Sequence, residues 1–136
     1  MNKCARAIIC IDNEYVFIKR IREKNGQLIE YYATVGGHID NDETYEEALY
    51  REVYEELGVT VKSFEFVIEL NCIEMNKVER FYKVELNNNN FTKGNGPEFT
   101  NINFERYGSY EVVRIKKDEI CNYNILPYKI KEYIME

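Results

Sequence analysis

Tryptophan is absent from this chain, proline occurs twice and histidine once in 136 residues. His38 and the four cysteines, Cys4, Cys10, Cys72 and Cys121, form no Cys-x-x-Cys pair and no Cys/His cluster, which argues against a zinc site. The cysteines read instead as small core or surface residues in a reducing compartment. No apolar run approaches the ~18 residues of a membrane-spanning helix, so no membrane partner is expected. The chain opens on a strand-like run with no signal-peptide pattern, and a cytoplasmic location is expected. Positive charge is also short: 18 Lys and Arg face 24 Asp and Glu, leaving a net charge of −6. That balance weighs against a long nucleic-acid partner. An acidic chain that handles an anionic substrate needs a compensating cation. The length fits a single domain, residues 1–136, with enough core to fold without disulfides.

What the chain does carry is concentrated between Gly37 and Val59. Gly37 is followed at intervals by Glu43 and then by Arg51-Glu52-Val53-Tyr54-Glu55-Glu56-Leu57-Gly58-Val59. Glu52, Glu55 and Glu56 stand at i, i+3 and i+4, neighbours on one face of a helix. Like charges so placed repel by a few tenths of a kcal/mol each, a cost that a bound divalent cation reverses. An oxygen-only donor set suits a hard cation such as Mg²⁺, with Mn²⁺ able to substitute. Such an ion polarises phosphoryl oxygens and lowers the pKa of water, so the residues favour metal-assisted hydrolysis of a phosphoanhydride. The plainer alternative is an acidic helix face that is simply solvated.

Local signals predict a helix over 44–57. Thr44 and Glu47 have capping-box spacing, Leu49, Val53 and Leu57 form an apolar stripe, and Gly58 occupies the position of a C-terminal helix stop. The whole segment resembles the Nudix box, Gly-x5-Glu-x7-Arg-Glu-U-x-Glu-Glu-x-Gly-U with U aliphatic. Every fixed position matches: Gly37, Glu43, Arg51, Glu52, Val53, Glu55, Glu56, Gly58 and Val59. The resemblance implies the Nudix fold, an α/β/α sandwich around a central mixed β-sheet. It implies that Glu52, Glu55 and Glu56 bind metal, with Glu52 and Glu56 foremost. It further implies that the Gly37 backbone approaches the metal, that Arg51 orients the carboxylates, and that Glu43 and Gly58 are structural. The general base is not fixed across the family and stays open. Thr34-Val35 stands where many members have a proline before the glycines.

Outside the box, alternation and turn residues predict strands at 4–11, 15–21, 31–35, 60–74, 78–86 and 110–115 and a short helix over 127–134. Asp12-Asn13, 22–26 and 75–77 read as turns and Asn87–Pro97 as a loop. Pattern alone says α/β. Glu98, in the loop segment Gly96-Pro97-Glu98-Phe99, is the candidate further metal ligand or base, with Glu111 its weaker competitor. Arg6, Lys19, Arg20 and Arg22 are candidate phosphate contacts. Tyr31, Tyr32, Phe99, Phe104 and Tyr107 are candidate stacking partners for a base, and Asn124 a candidate base reader. His38 is a further candidate at phosphate, although a local hydrogen bond is its commoner use.

The expected activity is hydrolysis of a nucleoside diphosphate linked to another moiety, a small-molecule substrate; the oligomeric state stays open, a homodimer paired through a sheet or hairpin being one option. The alternatives are a house-cleaning nucleoside triphosphate pyrophosphatase and a non-catalytic Nudix-fold module that binds nucleotides.

Overall fold

The computed structural model describes residues 1–91 and 109–136. Its strands are β1 (Asn2–Ile8), β2 (Cys10–Ile11), β3 (Glu14–Lys24), β4 (Gln27–Ala33), β5 (Val35–His38), β6 (Val61–Cys72), β7 (Lys77–Leu86), β8 (Ser109–Lys116) and β9 (Ile125–Leu126). Helix α1 is Tyr45–Leu57, a 3₁₀ helix spans Lys117–Asn122, and α2 is Tyr128–Met135. One sheet runs β5-β1-β7-β6; the other runs β2-β3-β4-β9, with β8 on the far side of β3. Both are mixed: β1 is antiparallel to β5 but parallel to β7, and β4 is antiparallel to β3 but parallel to β9.

The middle strands β1, β3 and β7 are covered on both faces. In β1, Ala5 and Ala7 enter the core beneath α1 whereas Ile8 enters a second core beneath α2. Val16 and Ile18 part from Phe17 in the same way, and Tyr82 and Val84 from Phe81. Strict alternation of side chains along a strand makes this division automatic. The result is the α/β arrangement expected, helix outside sheet on each side, with the strands parted into two mixed sheets rather than joined in one. The predicted strand over 4–11 passes from one sheet to the other at Ile9, whose carbonyl accepts the Val16 N–H at 3.0 Å.

Turn chemistry explains the remaining differences. Asp12-Asn13 and Asn25-Gly26 both carry positive φ, at 51° and 66° and at 52° and 79°. Two such residues match the backbone twist of a hairpin. The predicted turn at 22–26 therefore shrinks to two residues, and the charged Arg22–Lys24 and Gln27–Glu30 continue the ladder as exposed strand ends. β5 contains Gly36 and Gly37, residues that strand propensity disfavours, and it was not predicted. β9 and the 3₁₀ helix were also missed; they present Ile120 and Ile125 to the second core with Ile130 and Ile134 of α2. Among the described residues no helix is long and apolar enough to cross a membrane.

Helix α1 follows its sequence signals closely. Thr44 Oγ1 accepts the Glu47 N–H at 3.1 Å and Glu47 Oε1 accepts the Thr44 N–H at 2.9 Å. Gly58 ends the helix in the left-handed region, φ 73°, donating to Tyr54 O. Leu49, Val53 and Leu57 are buried in the core beneath it. Leu49→Ala should lose about 2–5 kcal/mol in urea unfolding, the usual cost of truncating a buried leucine; a loss below about 1 kcal/mol would show that this stripe does not anchor the helix.

Candidate functional site

The acidic face of α1 is not solvated. Ala48, Glu52 and Glu56 form a second line beside the apolar stripe, and both carboxylates are buried, at 8% and 3% exposure. Glu55 lies at the rim with 35% of its side chain exposed. The line faces β5, where Gly37 sets how closely the helix approaches and Gly36 how closely β5 lies to β1.

At Gly37 a Cβ would stand 2.9–3.1 Å from the Glu52 carboxylate. Glu52 therefore packs directly on the backbone there. At Gly36 a Cβ would stand 2.1 Å from Ala5 O and 2.8 Å from Arg6 Cα, and φ is 136°. No residue with a side chain fits that spacing. The Gly36 N–H donates to Glu56 Oε1 at 2.6 Å in a buried, charge-assisted hydrogen bond. Gly36 was not singled out from sequence; a glycine inside a strand is the signal of close backbone approach that would have found it.

Arg51 organises the exposed side of the cluster. Its Nε and Nη2 form a fork on Glu43 at 2.7 and 3.0 Å, and Nη1 donates to Glu52 Oε1 at 3.0 Å and to the Glu55 oxygens at 3.3–3.4 Å. Nη2 also donates to His38 O at 2.9 Å, tying helix to strand. The Glu43 hydrogen bonds, against opposing burial, hold the Arg51 guanidinium above its usual pKa. The same hydrogen bonds hold the Glu43 carboxyl below its usual value. Arg51 thus gathers Glu43, Glu52 and Glu55 around one guanidinium.

Among the described residues, no group of three or more His, Cys, Asp and Glu side chains stands ready to hold a metal ion. Glu52 is directed to Arg51 and Glu56 to Gly36. The donor set nonetheless suits a hard cation. It is all oxygen, two carboxylates are already buried side by side along one helix face, and Mg²⁺ needs only one or two protein carboxylates beside water and phosphate oxygens.

The other predicted residues divide. Arg6 lies on β1, where its Nε meets Glu79 Oε2 at 2.9 Å and its Nη1 donates to Gly36 O at 2.9 Å and Thr34 O at 3.2 Å. Its partners are thus protein groups, not an open phosphate pocket. Tyr32 belongs to the second core, its hydroxyl on Glu30 at 3.1 Å and its ring edge-on to Tyr123 at 5.1 Å. Those contacts are packing and do not bring it to the carboxylates of α1. Lys19 pairs with Glu30 at 3.0 Å, and Arg20 lies over the Tyr110 ring at 3.5 Å, with Tyr31 on its other flank. His38 Nδ1 is 3.5 Å from Cys4 Sγ. Asn124 joins the backbone of β4 through Glu30 O at 3.1 Å and Tyr32 N at 2.9 Å, a structural use. Glu111 is opposite Lys19, on the face of β8 away from α1, since its neighbours Tyr110 and Val112 pack beneath α1. Glu98, Phe99, Phe104 and Tyr107 lie outside the described residues.

The chain matches the NUDIX domain family model over residues 1–128. No curated relative matches it. Among solved structures, it is similar to a chain from work on MutT from the fish pathogen Aliivibrio salmonicida and from Vibrio cholerae. That alignment has a TM-score of 0.70 at 17% identity, covering 98% of this chain and 96% of the other. The MutT NUDIX hydrolase from Burkholderia pseudomallei aligns with a TM-score of 0.68 at 19% identity, covering 99% and 98%. The E. coli ORF135 protein gives 0.66 at 21%, covering 99% and 89%. At these identities the structural likeness concerns the fold.

Two outcomes check this geometry. Gly36→Ala should destabilise the protein by more than about 3 kcal/mol because the methyl meets backbone, whereas Gly37→Ala meets only a movable carboxylate and should fold with Glu52 displaced. Equal unfolding midpoints for the two variants would contradict it. Glu43 has a folded pKa below its ordinary 4.5, so it adds stability above that value and loses it as pH falls through the lower one. Glu43→Gln should therefore be less stable than the parent at about pH 7, with the gap narrowing at about pH 3; a gap unchanged between the two would show that the Arg51 pairing contributes nothing.

Proposed function

The chain belongs to the NUDIX family, and from that premise we propose that it is a divalent-metal-dependent pyrophosphohydrolase that cleaves a phosphoanhydride in a nucleoside diphosphate linked to another moiety. Nudix hydrolases act on small-molecule substrates and generally use divalent metal ions; for this chain we assign Mg²⁺, with Mn²⁺ as substitute. The observation that carries the reading is the burial of Glu52 and Glu56 together against the glycine strand. Two carboxylates buried on one helix face are a costly arrangement unless positive charge accompanies them.

Glu52 and Glu56 would hold the cation, with Glu55 at the rim, the Gly37 backbone alongside, and Glu98 as the candidate further ligand or base. When bound, the cation neutralises phosphate charge and makes nearby water a stronger nucleophile. The chain's own contribution is positional. The Gly36 N–H fixes one Glu56 oxygen, and Arg51 holds Glu43, Glu52 and Glu55 in one fan. Holding the reacting groups in one geometry removes much of the entropic barrier to attack. A water oxygen would attack phosphorus and give up a proton to the general base while the bridging P–O bond breaks onto the departing phosphate, so that two phosphorylated products leave. The same reading takes residues 1–136 as one domain and the cytoplasm as the enzyme's location, a compartment in which its four cysteines would stay reduced.

Glu52→Gln and Glu56→Gln preserve size and hydrogen bonding but remove the charge. Each should lower turnover about a hundredfold or more across a panel of nucleotide diphosphate derivatives with Mg²⁺ or Mn²⁺, at unchanged circular dichroism. Near-parental turnover in either variant would remove that residue from the site. No metal-stimulated phosphate release by the parent would mark a non-catalytic binding module.

A further inference from the structure

The ion pair of half-buried Arg6 with buried Glu79 lies on the opposite side of the sheet from α1. Arg6 and Glu79 alternate with residues of the α1 core and share their face with Ile8 and Phe81 of the second core. Glu79 is 5% exposed, and the two side chains meet at 2.9 Å. An ion pair in such a place is weak evidence for stability, because apolar residues of similar volume commonly replace one without loss. What distinguishes this pair is where the rest of the guanidinium goes. Nη1 donates to Thr34 O at 3.2 Å and to Gly36 O at 2.9 Å. Those carbonyls flank the Val35–Gly36 peptide on either side. The N–H of that peptide is the donor to Glu56 Oε1 at 2.6 Å.

We propose that Arg6, fixed by Glu79, is a positioning residue for the Glu56 carboxylate, acting through the backbone of β5. The inference deepens the metal-site reading above and rests on it for its functional meaning. Two carbonyls gripped by one planar group cannot rotate independently, so the peptide between them keeps its N–H aimed at α1. Gly36 has no side chain to restrain it and a φ of 136°, a region where the backbone alone is free to turn. Restraint must come from its partners: the β1 ladder within the sheet and, on the side away from the helix, the Arg6 guanidinium. Lysine at this position would keep the charge opposite Glu79 but not the planar fork that reaches a carboxylate and two carbonyls at once.

The test is amide exchange at Gly36 in ¹⁵N-labelled, metal-free protein, together with Mn²⁺ titration of the same samples by calorimetry. Arg6→Lys should speed Gly36 exchange about tenfold, the scale of one charge-assisted hydrogen bond, while Val53 and Phe81 in the two cores keep their protection. Mn²⁺ should bind the variant about tenfold more weakly. The double variant Arg6→Met with Glu79→Leu restores an apolar contact; it should recover the unfolding midpoint without recovering Gly36 protection. Parental Gly36 exchange in Arg6→Lys, or recovery of that protection in the double variant, overturns the positioning role and leaves the pair a contributor to folding alone. The two readings fail separately: a parent that takes up no Mn²⁺ removes the metal assignment, whereas the exchange rates still decide what Arg6 does.

Discussion

The approach of α1 to β5 is the constraint on which the site depends. It is set by two glycines and two acids. Gly36 lets β5 lie so close to β1 that a methyl group would overlap the Ala5 carbonyl, and its N–H engages Glu56; Gly37 leaves room for the Glu52 carboxylate against the chain. The apolar stripe of Leu49, Val53 and Leu57 supplies the driving force that presses the helix down, and the capping box and Gly58 fix where it starts and stops. Move the helix by one residue and the acids leave the glycines. Packing, caps and the charged line are therefore one arrangement.

Electrostatics divide across that arrangement. On the open side, Arg51 spreads a single positive charge over Glu43, Glu52 and Glu55, and its further bond to His38 O keeps the end of β5 in place. On the closed side, Arg6 meets Glu79 and the carbonyls next to the Glu56 donor. Between the two arginines stand the buried carboxylates to which the proposed cation is assigned. The net charge of −6 extends the same logic to the whole molecule, since an acidic protein that accepts a phosphate ester needs positive charge at the point of contact.

Legibility from sequence followed the range of the interactions. The box helix was readable because its determinants are local: Thr44 to Glu47, Leu49 to Val53 to Leu57, and Gly58 at the end. The fork of Arg51 on Glu43, a contact across eight residues, was not read from the sequence, where the resemblance implied only that Arg51 orients carboxylates and that Glu43 is structural. Arg6 was read as a phosphate contact because β1 gives no local sign that residue 79 will lie beside residue 6; a parallel pairing over such a separation leaves no local pattern. β5 was hidden by its glycines, and Tyr32 looked available for a base because burial against Tyr123 is decided by the distant 3₁₀ segment. The two-sheet arrangement was equally hidden, since a continuous alternating run through Ile9 does not show where pairing partners change.

The most direct measurement of the central claim is a crystal structure of the protein with Mn²⁺ and a non-hydrolysable nucleoside diphosphate derivative, with the ion located by its anomalous signal. The account predicts an ion coordinated by Glu52 and Glu56 and by oxygens of the diphosphate. An ion or diphosphate bound elsewhere, with Glu52 still on Arg51 and Glu56 still on Gly36, would contradict it.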